Sequence, residues 1–378
     1  MRGPHNILRL IRTGATLERT GAMPVILNAL DAPRTLKFAA RFIVWPFQFL
    51  GRRGDQSLPP APRALTAMGP AYIKFGQILS TRPDVVGPEL AEQLRVLQDR
   101  LPPFSTGVAK QSFKSEIGLD ADDVFSDFSE PVAAASIAQV HRGELKDTGQ
   151  SVAIKVLRPE IERAFQKDLD TFYFAARLVE FVSPKSRRLR PMDVIAHFDG
   201  VVRGELDLRL ESASASEFLA NIKEDKGFSV PSVNWSLSSR RVMTLDWADG
   251  VPMGDVDALA AAGHNLSELG DRVLHMFLNH ALRDGFFHAD MHQGNLKVSS
   301  SGDIVAFDFG IMGHIDEYTR RVYAEILFGF IKRDYKRVAQ VHFEAGYVPQ
   351  DQDVDEFARA LRAVGEPIFG MDASNISM

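Results

Sequence analysis

The side chains best placed to do chemistry lie in Phe287-His288-Ala289-Asp290-Met291-His292-Gln293-Gly294-Asn295, followed by Asp308-Phe309-Gly310. Phosphoryl transfer needs a carboxylate where the attacking hydroxyl or water sits. It also needs a neutral oxygen ligand and a second carboxylate to hold Mg²⁺ against the phosphates. Asp290 and Asn295 stand five residues apart, and Asp308 follows Asn295 by thirteen. A hairpin across that interval would return Asp308 to the loop. The spacing therefore gives Asp290 to the nucleophile, and Asn295 and Asp308 to the metal. A lone Asp-Phe-Gly is weak; loop, hairpin and Asp-Phe-Gly in that order are specific. A competing chemistry is zinc ligation by His288, Asp290 and His292, which alternate along an extended segment. The ordered Asn295 and Asp308 favour phosphoryl transfer and leave His292 as a histidine that fixes the loop.

Val152-Ala153-Ile154-Lys155 matches the kinase strand whose lysine holds the α- and β-phosphates and pairs with a helix glutamate. The alternative is an edge lysine facing water. A later helical stretch reads Gly204-Glu205-Leu206-Asp207-Leu208-Arg209-Leu210-Glu211. Asp207 and Glu211 are four apart and would share a helix face, with Glu205 pointing elsewhere. Glu211 is the expected partner of Lys155, against the alternative of a solvated acidic face. A Gly-rich phosphate loop is missing. In its place stands Ala133-Ala134-Ala135-Ser136, which would cover phosphates differently because alanine restricts φ and adds a methyl. Ser136 could donate to phosphate; the alternative is a tight small-residue turn with no ligand. Backbone from Leu245 to Trp247 would meet adenine as a hinge. Lys74 and Gln77 share a face of an earlier helix, where a surface lysine is the default.

These residues need elements to position them. Alternation predicts strands over Ile137–Leu145 and Ser151–Leu157, joined through Asp147-Thr148-Gly149. A further strand fits Arg241–Asp246, and a second hairpin fits 295–298 with 304–307. Helices are expected over 63–81, from Pro88, over 160–182 and 193–222, and over 266–284 with Gly285 as cap. Pro59-Pro60-Ala61-Pro62 reads as a linker. The fold class is α+β.

The chain of 378 residues has ordinary globular composition and a length suited to two or three compact units. It has no cysteine, which removes disulfides, thiol nucleophiles and Cys-ligated metals. The net charge of −5 does not point to nucleic acid. Residues 1–63, however, carry ten Lys/Arg against three acids. Within them, Phe38, Phe42, Ile43, Val44, Trp45, Phe47 and Phe49 mix with Arg34, Lys37 and Arg41, and Pro46 would kink or end the helix. Aromatic residues beside arginine are the ingredients of an interfacial helix, so an anionic membrane surface is an expected partner; RNA also suits a basic arm, and the alternative is a helix packed on the body with arginine at its edge. No window is apolar over the roughly 18–20 residues that a span requires. The N-terminus does not read as a secretory signal. The end at Asp372–Met378, without an evident terminal cap, predicts a chain that stops early.

Taken together, these elements resemble the UbiB family, also called the aarF-domain atypical kinases. The family's K-x-G-Q motif is matched by Lys74-Phe75-Gly76-Gln77, and its Ala-rich loop ending in S-I-x-Q-V-H by Ala133 to His141. Its E-x-D motif is matched by Glu205-Leu206-Asp207, with the helix glutamate at Glu211, and its catalytic loop by Asp290, Asn295 and Asp308. The match runs from about residue 63 to 345. Met291 and Gln293 replace the prolines of D-P-H-P-G-N, which should loosen the loop, and Ala138 replaces a common glycine.

The resemblance implies a protein-kinase-like, two-lobed fold with an N-terminal helical extension. It divides the chain into a basic extension (1–57), a helical segment with K-x-G-Q (58–118), an N-lobe with inserted helices (119–246) and a truncated C-lobe (247–378). It implies ATP and Mg²⁺ as cofactors. It also implies support of ubiquinone biosynthesis, by coupling ATP hydrolysis to quinone-precursor lipids or partner enzymes. By analogy Lys74 and Gln77 would occlude the substrate cleft, with Lys74 meeting Glu205, Asp207 and Asp308. Family members sit on the cytoplasmic side of the inner membrane, held peripherally or by a C-terminal segment that would lie beyond Met378. Without that segment the chain is expected to be soluble. Two other functions fit parts of the pattern: a small-molecule phosphotransferase of the aminoglycoside or choline kinase type, and a catalytically silent nucleotide-binding scaffold.

Overall fold

The computed structural model describes residues 4–29, 32–98, 102–182 and 190–369. The expected end at Asp372–Met378 lies outside them. The chain divides into two compact units, Met1–Ala213 with Val233–Trp247, and Ser214–Ser232 with Ala248–Met378.

The first unit opens with helices α1 (Pro4–Thr20), α2 (Ala22–Ala29) and α3 (Arg34–Val44), then a 3₁₀ turn over Trp45–Leu50. Helix α3 stops just before Pro46, as a residue without a backbone N–H requires. The expected proline linker is instead the start of α4 (Pro60–Met68). Proline suits a first helical turn, whose N–H groups have no intrahelical acceptor. The single helix expected over 63–81 is two, α4 and α5 (Pro70–Ser80). Gly69 takes φ +128°, which L side chains rarely adopt, and Pro70 starts the next helix. Helices α6 (Pro88–Leu94) and α7 (Thr106–Ile117) follow.

A four-stranded antiparallel sheet comes next: β1 (Phe125–Ala134), β2 (Ala138–Leu145), β3 (Ser151–Leu157) and later β4 (Val242–Asp246), in that spatial order. The alternation read from Ser151–Leu157 holds. Val152, Ile154 and Val156 are buried with Phe113, Phe125 and Val242 in one core. Each such side chain contributes about 1.5–3 kcal/mol when fully buried. Lys155 therefore lies on the other face of β3. Helices α8 (Ile161–Val182), α9 (Pro191–Glu205) and α10 (Leu208–Asn221) separate β3 from β4. The expected continuous helix over 193–222 breaks at Leu206-Asp207. Asp207 accordingly precedes α10, and does not share a helix face with Glu211.

In the second unit α11 (Leu266–Asn279) is capped by Asn265, whose Oδ1 accepts the N–H groups of Ser267 and Glu268. Residues His280–Asp284 form a π turn, and Gly285 closes it at φ +71°. Strand β5 (Phe286–His288) pairs with β8 (Met312–His314), and β6 (Leu296–Val298) pairs with β7 (Ile304–Ala306). Two short segments, Val251–Pro252 and Phe228–Ser229, flank that hairpin. Helices α12 (Glu317–Ile331), α13 (Tyr335–Glu344) and α14 (Val354–Gly365) complete the unit.

Candidate functional site

In the second unit the chemistry-bearing loop leaves β5 and enters β6. Its return partner is fixed by the two short ladders: Leu296 faces Ala306, and His288 faces Met312. The chain from Phe307 to Ile311 is therefore held against the loop at both ends. Phe307 N–H donates to the Asn295 carbonyl (3.3 Å), and Ala289 N–H to the Ile311 carbonyl (3.1 Å).

Within that frame Asn295 turns its amide nitrogen to Asp290, donating to the main-chain carbonyl at 3.0 Å and to carboxylate Oδ2 at 3.1 Å. With its N–H groups so directed, the group Asn295 has to offer a cation is its carbonyl Oδ1. Asp308 accepts the Gly310 N–H at Oδ1, 3.0 Å. Phe309 is buried against Phe218 and His288.

His288 joins the two halves. Its Nδ1 accepts the Asp290 N–H at 3.1 Å, and its Nε2 contacts the Asp308 carbonyl at 2.5 Å. An acceptor at Nδ1 and a carbonyl at Nε2 fix the Nε2–H tautomer. The ring is buried, and burial holds its pKa below the ordinary 6.5. Both ring nitrogens are engaged, so His288 has none to give a zinc ion. Among the described residues no group of three or more His, Cys, Asp or Glu is placed to hold a metal. His292 caps a 3₁₀ turn over Gln293–Asn295, its Nδ1 accepting the Gly294 N–H at 3.1 Å. His292 N–H also donates to the Asp290 carbonyl, and Asn295 N–H to the His292 carbonyl. These bonds tie the loop where the family's prolines are missing.

In the first unit Lys155 Nζ meets Glu211 Oε1 at 2.6 Å, both side chains largely buried. The pairing joins β3 to α10, as the spacing led us to expect. Residues Ala133 to Ser136 form the tip of the β1–β2 hairpin, where Ala135 N–H donates to the Ala138 carbonyl at 2.8 Å. Ser136 is 9% exposed. Arg158 clamps this tip: its guanidinium donates twice to the Ala135 carbonyl and once to that of Pro102. Nothing in the local pattern singles out Arg158; only its position just past β3 could have suggested it. The rest of the S-I-x-Q-V-H run is structural. Buried His141 donates Nδ1–H to the Ser129 carbonyl and accepts from Gln139 at Nε2, while Gln139 holds both main-chain groups of Phe104. Leu245 is buried and faces Ala153 across the sheet. Trp247 N–H donates to the Ser151 carbonyl, and the Arg142 guanidinium lies 5.2 Å from the Trp247 ring centre.

The Lys74–Gln77 motif resolves into three jobs. Lys74 Nζ lies 2.5 Å from Glu205 Oε1 in an ion pair, both side chains largely buried. A Cβ on Gly76 would come within 2.5 Å of Leu65 and of Leu97, so only glycine lets α5 approach them without displacing them. Gln77 donates Nε2–H to the Leu97 carbonyl at 2.8 Å. Asp207 does not join Lys74 as expected. The helix break makes it an N-terminal acceptor for Arg209, whose guanidinium it meets at 2.7 Å, and this pairing holds its carboxyl below the usual range.

Residues 96–342 match the ABC1 atypical kinase-like domain. Curated relatives named "Probable protein kinase UbiB" include those of Aeromonas salmonicida (42% identical, 89% of this chain, 64% of the relative) and Marinobacter nauticus (40%, 83% and 58%). The chain thus spans a little under two thirds of the relatives' length. A solved structure described as Rv3197-erythromycin from Mycobacterium tuberculosis aligns with TM-score 0.56 at 25% identity, covering 79% of this chain and 76% of that one. The α+β architecture is protein-kinase-like. On the matched domain and the ordered motifs it contains, the chain belongs to the ABC1 atypical kinase-like family.

Proposed function

We propose that this protein is an atypical kinase or ATPase that binds Mg-ATP and supports ubiquinone biosynthesis, coupling ATP hydrolysis to quinone-precursor lipids or to partner enzymes. The observation that carries the chemistry is the His288 ring, which fastens Asp290 to Asp308 while the Asn295 amide fastens to Asp290. These bonds tie the main chain at Asp290 to the main chain at Asp308, and the Asn295 side chain to Asp290, which supports a shared site for the three residues. The ubiquinone reading is supported by the UbiB name of the relatives.

In this reading Asp290, which is exposed, orients or deprotonates the attacking hydroxyl or water. The Asn295 carbonyl and the Asp308 carboxylate are hard oxygen donors of the kind Mg²⁺ prefers, and would hold it. The ion would neutralise charge on the phosphates. Lys155, positioned by Glu211, would grip the α- and β-phosphates, with Ala133 to Ser136 over them and Leu245 to Trp247 against adenine. Lys74 and Glu205 would act as a regulatory contact, with Gln77 and Asp207 as its structural neighbours. Positioning and charge neutralisation would supply most of the rate. The basic extension would rest peripherally on an anionic bilayer.

ATP turnover with Mg²⁺, with and without a quinone-precursor mimic and anionic lipid, tests the reading. Asp290→Asn should lower turnover by about 100-fold or more while nucleotide still binds. Equal rates in the two proteins would make the chain a nucleotide-binding scaffold. Stoichiometric phosphorylation of a small hydroxyl acceptor would make it a small-molecule phosphotransferase.

A further inference from the structure

A cavity wholly within the first unit has no part in the chemistry above. It encloses about 440 Å³ among α1, α8, the start of α5 and the segment after the 3₁₀ turn. Arg9, Arg12, Arg52 and Lys167 line it, against one carboxylate, Asp168. Four cations to one anion make it strongly positive. Met68, Pro70 and Ala164 supply apolar wall.

The cavity is built, not left over. Thr16, buried at 1% exposure, donates its hydroxyl to the Arg12 carbonyl at 2.8 Å and accepts the Arg52 N–H at 3.1 Å. One hydroxyl thus fixes the main chain at two arginines 40 residues apart in sequence. Arg9 reaches across to the Lys167 carbonyl at 3.0 Å, tying α1 to α8. Tyr72, also buried, shares a 2.9 Å hydrogen bond with Thr13. Arg12, Arg52 and Lys167 are exposed, and the Arg52 guanidinium also donates to the Ala67 carbonyl. Asp168 is held among these cations, yet burial raises its pKa to about 6.

We propose that this cavity is an anion site for a phosphate monoester carrying a small apolar stem. Guanidinium groups match phosphate in geometry and charge, and the volume lies in the range of ligand pockets. The phosphate could belong to a lipid headgroup or to a soluble ester. The site shares no residue with the nucleotide machinery, so it does not depend on the ATPase reading.

Isothermal titration of the full chain with inorganic phosphate, and with monomeric dihexanoyl phosphatidic acid, tests it, using dihexanoyl phosphatidylcholine as control. Phosphatidic acid should bind and phosphatidylcholine should not. Arg12→Gln should weaken binding about tenfold, the loss of roughly one charge-assisted contact. Asp168→Asn should tighten it, a gain that a misfolded protein could not show. ATP turnover should be unchanged in both variants, which separates failure here from failure of the ATPase reading. Binding of phosphatidic acid far above that of phosphate assigns the site to a headgroup; equal binding assigns it to a soluble ester. Absence of binding by both probes, or binding indifferent to both substitutions, overturns the proposal.

Discussion

At the residue scale the site depends on a histidine that does no chemistry of its own. His288 must be neutral, because protonation would place a hydrogen on Nδ1, where it now accepts the Asp290 N–H. Its folded pKa is depressed by burial, so below the ordinary 6.5 the unfolded chain binds the proton more readily than the folded one. The stability this gives is present above that value and is lost as pH falls through the folded pKa. Buried His141 and His280 shift in the same direction. Thermal melting should therefore fall as pH drops below about 6.5. His288→Gln, which cannot titrate, should melt lower at neutral pH but show a shallower pH dependence. An unchanged slope would mean that His288 is not among the groups responsible. That His288 and His292 were also legible as zinc ligands shows the limit of residue type. The same imidazoles serve either use until their hydrogen-bond partners are known.

At the scale of elements, the ion pair of Lys74 with Glu205 fastens α5 to the end of α9, with 15% and 10% of the side chains exposed. A desolvated pair is costly to break and nearly neutral to replace. Lys74→Ala should cost roughly 3 kcal/mol in urea unfolding by stranding Glu205, and Lys74→Met with Glu205→Leu should recover most of it. Equal losses in the single and double variants would reduce the pair to a surface contact. The sequence carried both residues as motif members, but the break at Leu206-Asp207 was not readable. Leucine does not end a helix by propensity, but aspartate favours the position before a helix start, and here the Asp207 carboxylate takes the Arg209 N–H and guanidinium. The break at Gly69-Pro70 was missed by the single helix expected over 63–81, although Gly-Pro is strong punctuation.

At the scale of the whole molecule the charge is divided along the chain, with the cations concentrated before residue 64. Phe38, Phe42, Trp45 and Phe49 are each at least 69% exposed, beside Arg34, Arg41 and Arg52. No helix among the described residues is long and apolar enough to cross a membrane. An exposed aromatic and basic helix suits the bilayer interface, where its rings leave water and its cations keep anionic headgroups. The chain should co-sediment with vesicles containing anionic phospholipid at low salt, and less so at high salt. Phe38→Ser with Phe42→Ser should weaken this about tenfold with no loss of stability, because both rings are already in water. Failure to bind at low salt would remove the membrane from the proposal.

The sequence by itself determined the order of the chemical groups, the two hairpins and the β3 alternation that sends Lys155 away from the core, because each is written in short-range spacing. The Lys155–Glu211 pair was anticipated, but tertiary structure alone decided the other partners: Glu205 and not Asp207 for Lys74, and the Asp308 carbonyl for His288. It also gathered Arg9, Arg12, Arg52 and Lys167 around one cavity. Such pairings join residues many positions apart, and the free energy that selects among them comes from burial and desolvation, which exist only once the chain has packed.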